Sequence, residues 1–293
     1  MIDFDSFLSE YKNKLAHIFK KENETNGDAL ERGISQDNLT EILKSTPLAS
    51  FIPSEHGGFG GHTAEALSML EASSYESLPL SLMMGINGAL FLQPIANYGT
   101  EEAKNDVFSR VINKGKMGGL MITEPDYGSE ALKMQTSVEY NASNQHYSVK
   151  GTKHWAGLTG MADYWIMTAR EKNSQGELGR DVSFFVHDSR NGGIEVKEYY
   201  NNLGLYMLPY GRNKVDINVP ASHKLTPKGT GITLMLDLLH RSRLQFPGMG
   251  MGFLRRMMDE AVQHCRERLV GGVSLLNYDQ VRSRVSQIQS YFT

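Results

Sequence analysis

The spacing of apolar residues changes twice along this sequence, and these two changes constrain its fold more than any other feature. Up to about residue 117, apolar residues recur at steps of three and four, the spacing of one helix face. After Gly118 and Gly119, short runs of β-branched and aromatic residues alternate with polar ones, as in half-buried strands. Beyond Gly229 and Gly231 the helical period returns. The chain is therefore predicted to contain a helical region, a β region and a second helical region.

The first helical region carries end signals as well as apolar spacing. Ser35 and Thr63 are predicted N-caps of two helices, and Thr100 is predicted to cap a third helix that Gly115 ends. A helix at the N-terminus is predicted from the apolar positions Phe4, Phe7, Leu8, Tyr11, Leu15, Ile18 and Phe19.

The β region contains five predicted strands separated by turns rich in Asn, Gly and Ser. These spacers are too short for crossover helices, which favours an antiparallel sandwich or barrel over a Rossmann sheet. The predicted strands are residues 137–140, 147–150, 165–169, 182–187 and 215–219.

The predicted fold class is therefore α+β and multidomain. An N-terminal helical domain is expected at 1–117, an antiparallel β middle domain at 118–228, and an incomplete C-terminal helical bundle at 229–293. The bundle is predicted to contain helices near 232–239 and 251–269, and a last helix from about residue 278. That helix has no cap, glycine or proline at its end, so we expect the sequence to stop inside a helix.

Composition excludes several classes of function. The net charge of −3, with both signs interspersed, gives no electrostatic reason to expect nucleic acid or an anionic membrane as partner. Cys265 is the only cysteine, and no histidine stands at metal-ligand spacing, so neither a disulfide nor a metal site is predicted.

The apolar stretch 80–95 is interrupted by polar residues and is expected to be a buried helix. The acidic N-terminus resembles no secretory signal, which predicts a cytoplasmic location without a membrane span.

A turn-rich segment lies where helices give way to strands: residues 121–130 read MITEPDYGSE. Backbone NH groups and hydroxyls in such a turn can contact a flat, polar ring edge such as an isoalloxazine. Taken alone, the segment would be an ordinary connecting loop. It is accompanied by four further motifs, which are PSEHGGFG at 53–60, GTKHW at 151–155, LGL at 203–205, and the pair Arg243 and Arg268.

With these five motifs in order, the chain resembles the acyl-CoA dehydrogenases over its whole length. The resemblance implies a β domain between two helical domains, with FAD bound between the middle and C-terminal domains. It also implies a homo-oligomer, either a tetramer or a dimer. It implies that a base removes the α proton of an acyl-CoA or acyl-carrier-protein thioester while the β hydride passes to the flavin. The product would be a trans-2-enoyl thioester, and an electron-transfer flavoprotein would accept the electrons.

The resemblance also implies roles for individual residues. Residues 120–129, here called the edge segment, would contact the flavin, with Thr123 bonding the ring and Ser129 contacting the CoA arm of the substrate. Trp155 would pack beside the ring and exclude water. Arg268 would meet the FAD pyrophosphate across a subunit interface, and Arg243 would lie near the substrate or form a helix-end salt bridge. The implied cofactor contacts are Leu120, Ile122, Thr123, Gly128, Ser129, Trp155, Gly157 and Arg268.

Four positions depart from the family pattern. Gly157 stands where a threonine usually bonds the flavin, Gly271 where a phenylalanine is usual, and Asp279 where a glutamine is expected. The base is the largest gap. Most members carry it in a later part of the C-terminal domain, and others immediately before Arg243, where this chain has Ser242, too weak an acid-base group to act alone. No catalytic residue is therefore assigned.

Two alternatives to dehydrogenation remain open at the level of sequence. One is a flavin-dependent oxidase or monooxygenase on the same scaffold, and the other is a non-catalytic binding or assembly subunit that lacks the base. The acyl chain length, electron acceptor and pathway are not predicted. The run Gly248-Met249-Gly250-Met251-Gly252 resembles a dinucleotide fingerprint, but no strand precedes it, so close helix packing is expected.

Overall fold

A computed structural model of the chain describes residues 3–26 and 34–292 and confirms the predicted α+β class. The first helical region contains six α-helices, and a π-helical turn at Gly88–Leu92 joins the fourth to the fifth. The helices are α1 Phe4–Asn26, α2 Gln36–Leu43, α3 Thr63–Glu76, α4 Leu78–Asn87, α5 Gln93–Tyr98 and α6 Glu101–Lys114.

The helix ends follow most of the predicted signals. The side chain of Ser35 accepts a hydrogen bond from the Asn38 backbone NH at 3.2 Å, and Gly115 ends α6 in the left-handed conformation. The Thr100 hydroxyl caps α6 in the same way as Ser35 caps α2. The prediction that Thr63 caps α3 is wrong by one residue, because Thr63 is already helical and His62 holds the cap position without a side-chain bond.

The apolar stretch of the first region is longer than its sequence indicated. The π-helical turn makes Leu78–Tyr98 continuous over 21 residues, which by length and composition is enough to cross a membrane. The most apolar window of this stretch is 72% buried inside the protein. Burial of this extent is typical of a helix in a protein core. It therefore supports the predicted buried helix, although the length alone would also allow a membrane span.

The β region forms one curled sheet of seven strands in the order β1-β4-β2-β3-β7-β6, with β5 paired to β4. Four of the pairings are antiparallel, as predicted, whereas β4 runs parallel to both β1 and β2. The strands are β1 Gly118–Met121, β2 Ser137–Asn141, β3 His146–Gly157, β4 Tyr164–Glu171, β5 Ser183–Asp188, β6 Ile194–Tyr199 and β7 Tyr210–Pro220.

Two strands of this sheet were not predicted from the sequence. Strand β1 begins with the two glycines that mark the change of period, and close packing requires both of them. A Cβ on Gly118 would lie 2.2 Å from the Phe91 ring, and one on Gly119 would lie 2.6 Å from the Trp165 ring. The other unpredicted strand, β6, is an edge strand with mostly exposed, charged side chains.

The second helical region contains three helices, α7 Gly231–Arg243, α8 Phe246–Glu267 and α9 Asp279–Gln289. Between α8 and α9 lies a short hairpin whose strands, β8 Leu269–Val270 and β9 Val273–Ser274, have two residues each. Asp181 joins this region to the sheet, because its carboxylate accepts hydrogen bonds from the backbone NH groups of Gly231 and Ile232 at 2.9 and 3.1 Å. The predicted domain boundaries at 117 and 228 stay predictions.

Helix α8 begins five residues before the predicted position and contains the whole glycine run. A Cβ on Gly248 would lie 2.6 Å from the backbone oxygen of Leu67, and one on Gly252 would lie 2.1 Å from that of Glu71. The Ser74 hydroxyl donates to the backbone oxygen of Met249 at 2.6 Å. For Gly248 and Gly252 these contacts confirm the expected close helix packing, here between α8 and α3, whereas a Cβ on Gly250 would meet nothing within 4 Å.

Candidate functional site

An exposed tryptophan on a distorted strand is the centre of the candidate site. Strand β3 shifts register against β7 between Lys153 and Ala156, and Trp155 has a φ of 54°, a left-handed conformation that is rare for a bulky residue. In a regular strand Lys153 and Trp155 would share a face. The bulge turns them apart, so that Lys153 is fully buried while the Trp155 side chain is 49% exposed.

The edge segment continues β1 and closes onto the same strand. The backbone NH of His154 donates to the Thr123 carbonyl oxygen at 2.9 Å. Leu120 is buried, and Ile122 and Thr123 are partly buried. The structure therefore brings the first part of the edge segment beside Trp155.

The far end of the edge segment reaches solvent. Gly128 and Ser129 are exposed, and a Cβ on Gly128 would meet nothing within 4 Å. An exposed hydroxyl and open backbone at this point leave room for a bound molecule along the segment.

A buried ion pair, which the sequence did not predict, lies beneath these residues. The Lys153 ammonium donates to Glu124 Oε1 and Thr168 Oγ1, each at 3.0 Å, and to the Ile122 carbonyl at 3.3 Å. The Glu124 carboxylate also accepts from the backbone NH groups of Gln135 at 2.6 Å and Thr136 at 2.9 Å. Both charged residues stand inside the motifs quoted above. The missed signal was Lys153, a charged residue on the same face of β3 as the buried Val149.

Burial and charge act on the protonation of this pair in different ways. Complete burial lowers the pKa of Lys153 to about 8, although the attraction of Glu124 opposes the shift. Burial alone would raise the pKa of Glu124, but Lys153 and the bonds from Thr136 and Gln135 outweigh it, so that this pKa is lowered. At neutral pH both groups are charged.

Gly157, one of the predicted cofactor contacts, lies buried two residues after Trp155. A Cβ here would lie 2.9 Å from the Ile86 side chain and 3.2 Å from the Tyr210 ring. The space that a larger side chain would use is therefore occupied by Ile86 and Tyr210, and the Tyr210 ring lies 6.1 Å from that of Trp155.

A cavity lies next to this aromatic group, with a volume of about 290 Å³. Tyr200 lines it, and the Tyr200 ring packs against Trp155 with the ring centres 4.5 Å apart. Its hydroxyl shares a short hydrogen bond with Nδ1 of His154. The other tyrosines that line the cavity are Tyr199, Tyr206 and Tyr210.

The two predicted arginines stand apart from these residues. Arg243 ends α7, where its guanidinium donates to the Leu239 carbonyl at 3.4 Å, and Arg268 is exposed at the end of α8. Within the described residues, neither arginine shares a hydrogen bond or ion pair with the edge segment. The Ser242 hydroxyl donates to the Leu239 carbonyl at 2.8 Å and is held within its own helix.

The arrangement around Trp155 is suited to holding a flat conjugated ring. An exposed indole offers a stacking surface, and the neighbouring edge segment offers a threonine hydroxyl and the open backbone of a turn to the polar edge of such a ring. His154, beside Trp155, carries an imidazole whose Nδ1 is bonded to the Tyr200 hydroxyl, and no described residue is assigned as general base.

Comparison with protein-family models gives one family for all three regions of the chain. The N-terminal, middle and C-terminal domain models of the acyl-CoA dehydrogenases match residues 16–115, 119–216 and 229–292. The very long-chain specific acyl-CoA dehydrogenase of Rattus norvegicus mitochondria is 22% identical over 287 residues, which cover 96% of this chain and 44% of that protein. The chain thus spans less than half the length of this curated relative.

Two solved structures are similar to the whole of this chain. Butyryl-CoA dehydrogenase from Megasphaera elsdenii matches with a TM-score of 0.84 at 18% identity, covering 98% of this chain and 76% of that one. The prolyl acyl carrier protein oxidase AnaB matches with a TM-score of 0.81 at 17% identity, covering 97% and 76%. Because the three domain models together match most of its length, the chain belongs to the acyl-CoA dehydrogenase family.

Proposed function

We propose that the protein is an FAD-dependent dehydrogenase that introduces a trans α,β double bond into an acyl thioester. The observation that carries the proposal is the half-exposed Trp155 on its bulge, adjacent to the edge segment, in a member of this family. The indole surface, the neighbouring hydroxyl and the open turn fit the isoalloxazine ring of FAD. When bound, FAD would accept the hydride from the β carbon of the substrate.

Each predicted residue keeps its role as part of this proposal. Thr123 would bond the ring edge, and Trp155 would cover one side of the flavin and exclude water from it. Ser129 and Arg243 would contact the substrate, and Arg268 would reach the pyrophosphate of an FAD held by another subunit. The remaining proposed flavin contacts are Leu120, Ile122, Gly128 and Gly157.

Proton abstraction needs a group that the described residues do not supply. Ser242, at the position where some family members place the base, has a hydroxyl that is both a weak base and bonded to Leu239. The chain matches only part of its relatives' length, so the full dehydrogenation is proposed for the whole protein and not for these residues alone.

Homo-oligomerisation is the second part of the proposal. Helix α8 and the turn before it expose large apolar side chains, which a contact with another subunit would remove from water. Arg268 lies at the end of this helix, where it could reach a neighbouring protomer. The exposed apolar residues are Leu244, Phe246, Phe253, Leu254 and Met257.

The remaining proposed partners are those that the family uses. The substrate would be an acyl-CoA or an acyl-carrier-protein thioester, the electron acceptor an electron-transfer flavoprotein, and the location the cytoplasm. A nucleic-acid partner is not proposed, because the net charge of −3 provides no attraction to phosphates.

The visible spectrum of the purified protein under anaerobic conditions tests the reaction. We expect flavin bands that bleach when one acyl-CoA from a panel of different chain lengths is added, and that chain length identifies the substrate. Protein that is colourless and cannot be reconstituted with FAD would contradict the proposal and support a non-catalytic binding or assembly role.

A flavin-dependent oxidase or monooxygenase is the second candidate, and one observation favours it. Tyr210 fills the space beside Gly157 where most relatives have a threonine that bonds the flavin, and such a change alters the surroundings of the ring. Oxygen consumption after anaerobic reduction distinguishes the two. Rapid reoxidation by oxygen, with no need for an electron-transfer flavoprotein, would favour the oxidase or monooxygenase.

A further inference from the structure

The buried Glu124–Lys153 pair lies beneath the proposed flavin site, but the proposed reaction gives it no task. All three NH groups of the Lys153 ammonium are used, by Glu124, by Thr168 on β4 and by the Ile122 carbonyl. Two of these partners belong to the edge segment. One side chain of β3 thus holds the edge segment at two points.

The same side chain fixes the start of the bulge. Lys153 is the last residue of β3 in the first register against β7, and the new register begins at Ala156. The extra residue of the bulge lies immediately after the inward-held ammonium, and Trp155 is turned outward. Two elements of the proposed site therefore meet at one buried cation.

Stability alone does not account for such a pair. Removing two charges from water costs as much as their attraction returns, and apolar replacements of buried pairs are often equally stable. What a charged pair adds is a defined geometry, since each oxygen and each NH group requires a partner at a fixed place.

We propose that Glu124 and Lys153 are positioning residues that fix the edge segment to β3 and set the orientation of Trp155 for flavin binding. This inference rests on the proposed function, because it assigns the pair a role at the same site. Both side chains are buried beneath the proposed site, so the role assigned to them is to hold other residues in place.

Removal of the cation gives the direct test, with the FAD dissociation constant as the readout. We expect Lys153→Met to weaken FAD binding about tenfold or more, because the edge segment and the bulge lose their common anchor. Lys150→Met is the matched control. Lys150 lies on the same strand, but its pair with Asp216 is exposed to solvent, so its FAD affinity should equal that of the wild type.

A double variant separates positioning from stability. Lys153→Met alone leaves the buried Glu124 carboxylate without its cation and is expected to lower the melting temperature. Glu124→Gln combined with Lys153→Met removes both charges and should regain the melting temperature, but FAD binding should stay weak. FAD binding that recovers together with the melting temperature would overturn the inference. If the single variant does not fold, the double variant takes its place in the comparison with Lys150→Met.

The pH profile of FAD binding supplies a readout that a purely structural role would not change. Within the described residues, Glu124 is the titratable group in contact with Lys153, and Arg170 on β4 donates to the neighbouring Met134 carbonyl. FAD affinity should fall as the pH rises through about 8, where Lys153 loses its proton. This dependence on pH should be absent in Lys153→Met.

The fluorescence of Trp155 tests the inference without FAD. In a Trp165→Phe background Trp155 is the only tryptophan, and Lys153→Met should change its quenching by acrylamide, whereas Lys150→Met should not. If the wild-type protein binds no FAD, the proposed function fails and this quenching decides the inference alone. Unchanged quenching, or unchanged FAD affinity in a wild-type protein that binds FAD, would overturn it.

Discussion

At the scale of single residues, the candidate site depends on a side chain that a bulge in the backbone turns from the inner to the outer face of the sheet. Trp155 is exposed because a bulge gives it a positive φ, and Gly157 is buried against Ile86 and Tyr210 two residues later. Motif resemblance located these positions. It could not reveal that Tyr210 fills the space beside Gly157, because Tyr210 belongs to another strand, 53 residues further along the chain.

Replacing the exposed ring tests the proposed stacking. Trp155→Ala removes the indole surface, and we expect FAD binding to weaken about tenfold, measured as the FAD retained per protomer after gel filtration. Tyr140→Ala is the control, because Tyr140 is also a half-exposed aromatic residue of the sheet. Equal retention by all three proteins would remove Trp155 from the site.

Restoring the family's threonine should harm this chain. Gly157→Thr places new atoms against Ile86 and the Tyr210 ring, and overpacking of this kind costs about 1–3 kcal/mol in the free energy of unfolding, measured by urea denaturation. Combining it with Tyr210→Ala should relieve the contact with the ring and leave the closer one with Ile86. Gly128→Thr, with open space around its Cβ, should be close to neutral. A stable Gly157→Thr protein would show that the Ile86 side chain and the Tyr210 ring both move aside.

At the scale of elements, the glycine run of α8 combines two requirements. Gly248 and Gly252 face α3 so closely that no Cβ fits, whereas Gly250 points into open space. Spacing in the sequence shows that the three glycines are two residues apart. Only the packing of α8 on α3 shows which of them are required.

This difference predicts opposite effects of one substitution. Gly248→Ala should destabilise the protein, because its Cβ would lie 2.6 Å from the Leu67 carbonyl oxygen, which cannot move away without its helix. Gly250→Ala should stabilise it by about 0.5–1 kcal/mol, the usual gain of alanine over glycine inside a helix. Thermal unfolding measures both. Equal effects at the two positions would contradict the packing.

Local pattern predicted those elements whose ends carry a side-chain signal. The cap at Ser35 and the glycine that ends α6 are examples. It missed β1, whose glycines resemble a turn, and β6, whose exposed alternate residues carry charges. The parallel pairings of β4 depend on long-range topology, which no local period contains.

In the candidate site too, some residues were predicted from the sequence and others were missed. Resemblance found Thr123 and Trp155, which stand in motifs. The Glu124–Lys153 pair was missed because charged residues are usually found at the surface.

At the scale of the whole molecule, side-chain hydrogen bonds and ion pairs connect the two helical regions. Tyr75 on α3 donates to Asp259 on α8 at 2.7 Å, and Arg256 pairs with Glu76 at 3.1 Å. The Tyr98 hydroxyl donates to Asp237 on α7 at 2.9 Å. These contacts join segments that are more than 130 residues apart, and the sheet is tied to α7 by Asp181.

Such connections predict cooperative unfolding. The circular dichroism of the helices and the tryptophan fluorescence of the sheet should give coincident urea transitions, since neither region can lose its partner and stay intact. Trp155 and Trp165 both lie in the sheet, so the two probes are independent. Separate midpoints would mean that the sheet and the helices are stable on their own.

The parallel pairing of β1 with β4 also has a consequence for how the protein folds. Gly118 pairs with Tyr164, so β1 has no partner strand until β4 has been synthesised and has returned to it. Contacts between distant segments form slowly, because the loop between them must close first. The edge segment is therefore expected to assemble late, after the first helices have formed on the ribosome. An incompletely synthesised chain would then leave the edge of β1, next to the proposed flavin site, without its partner strand.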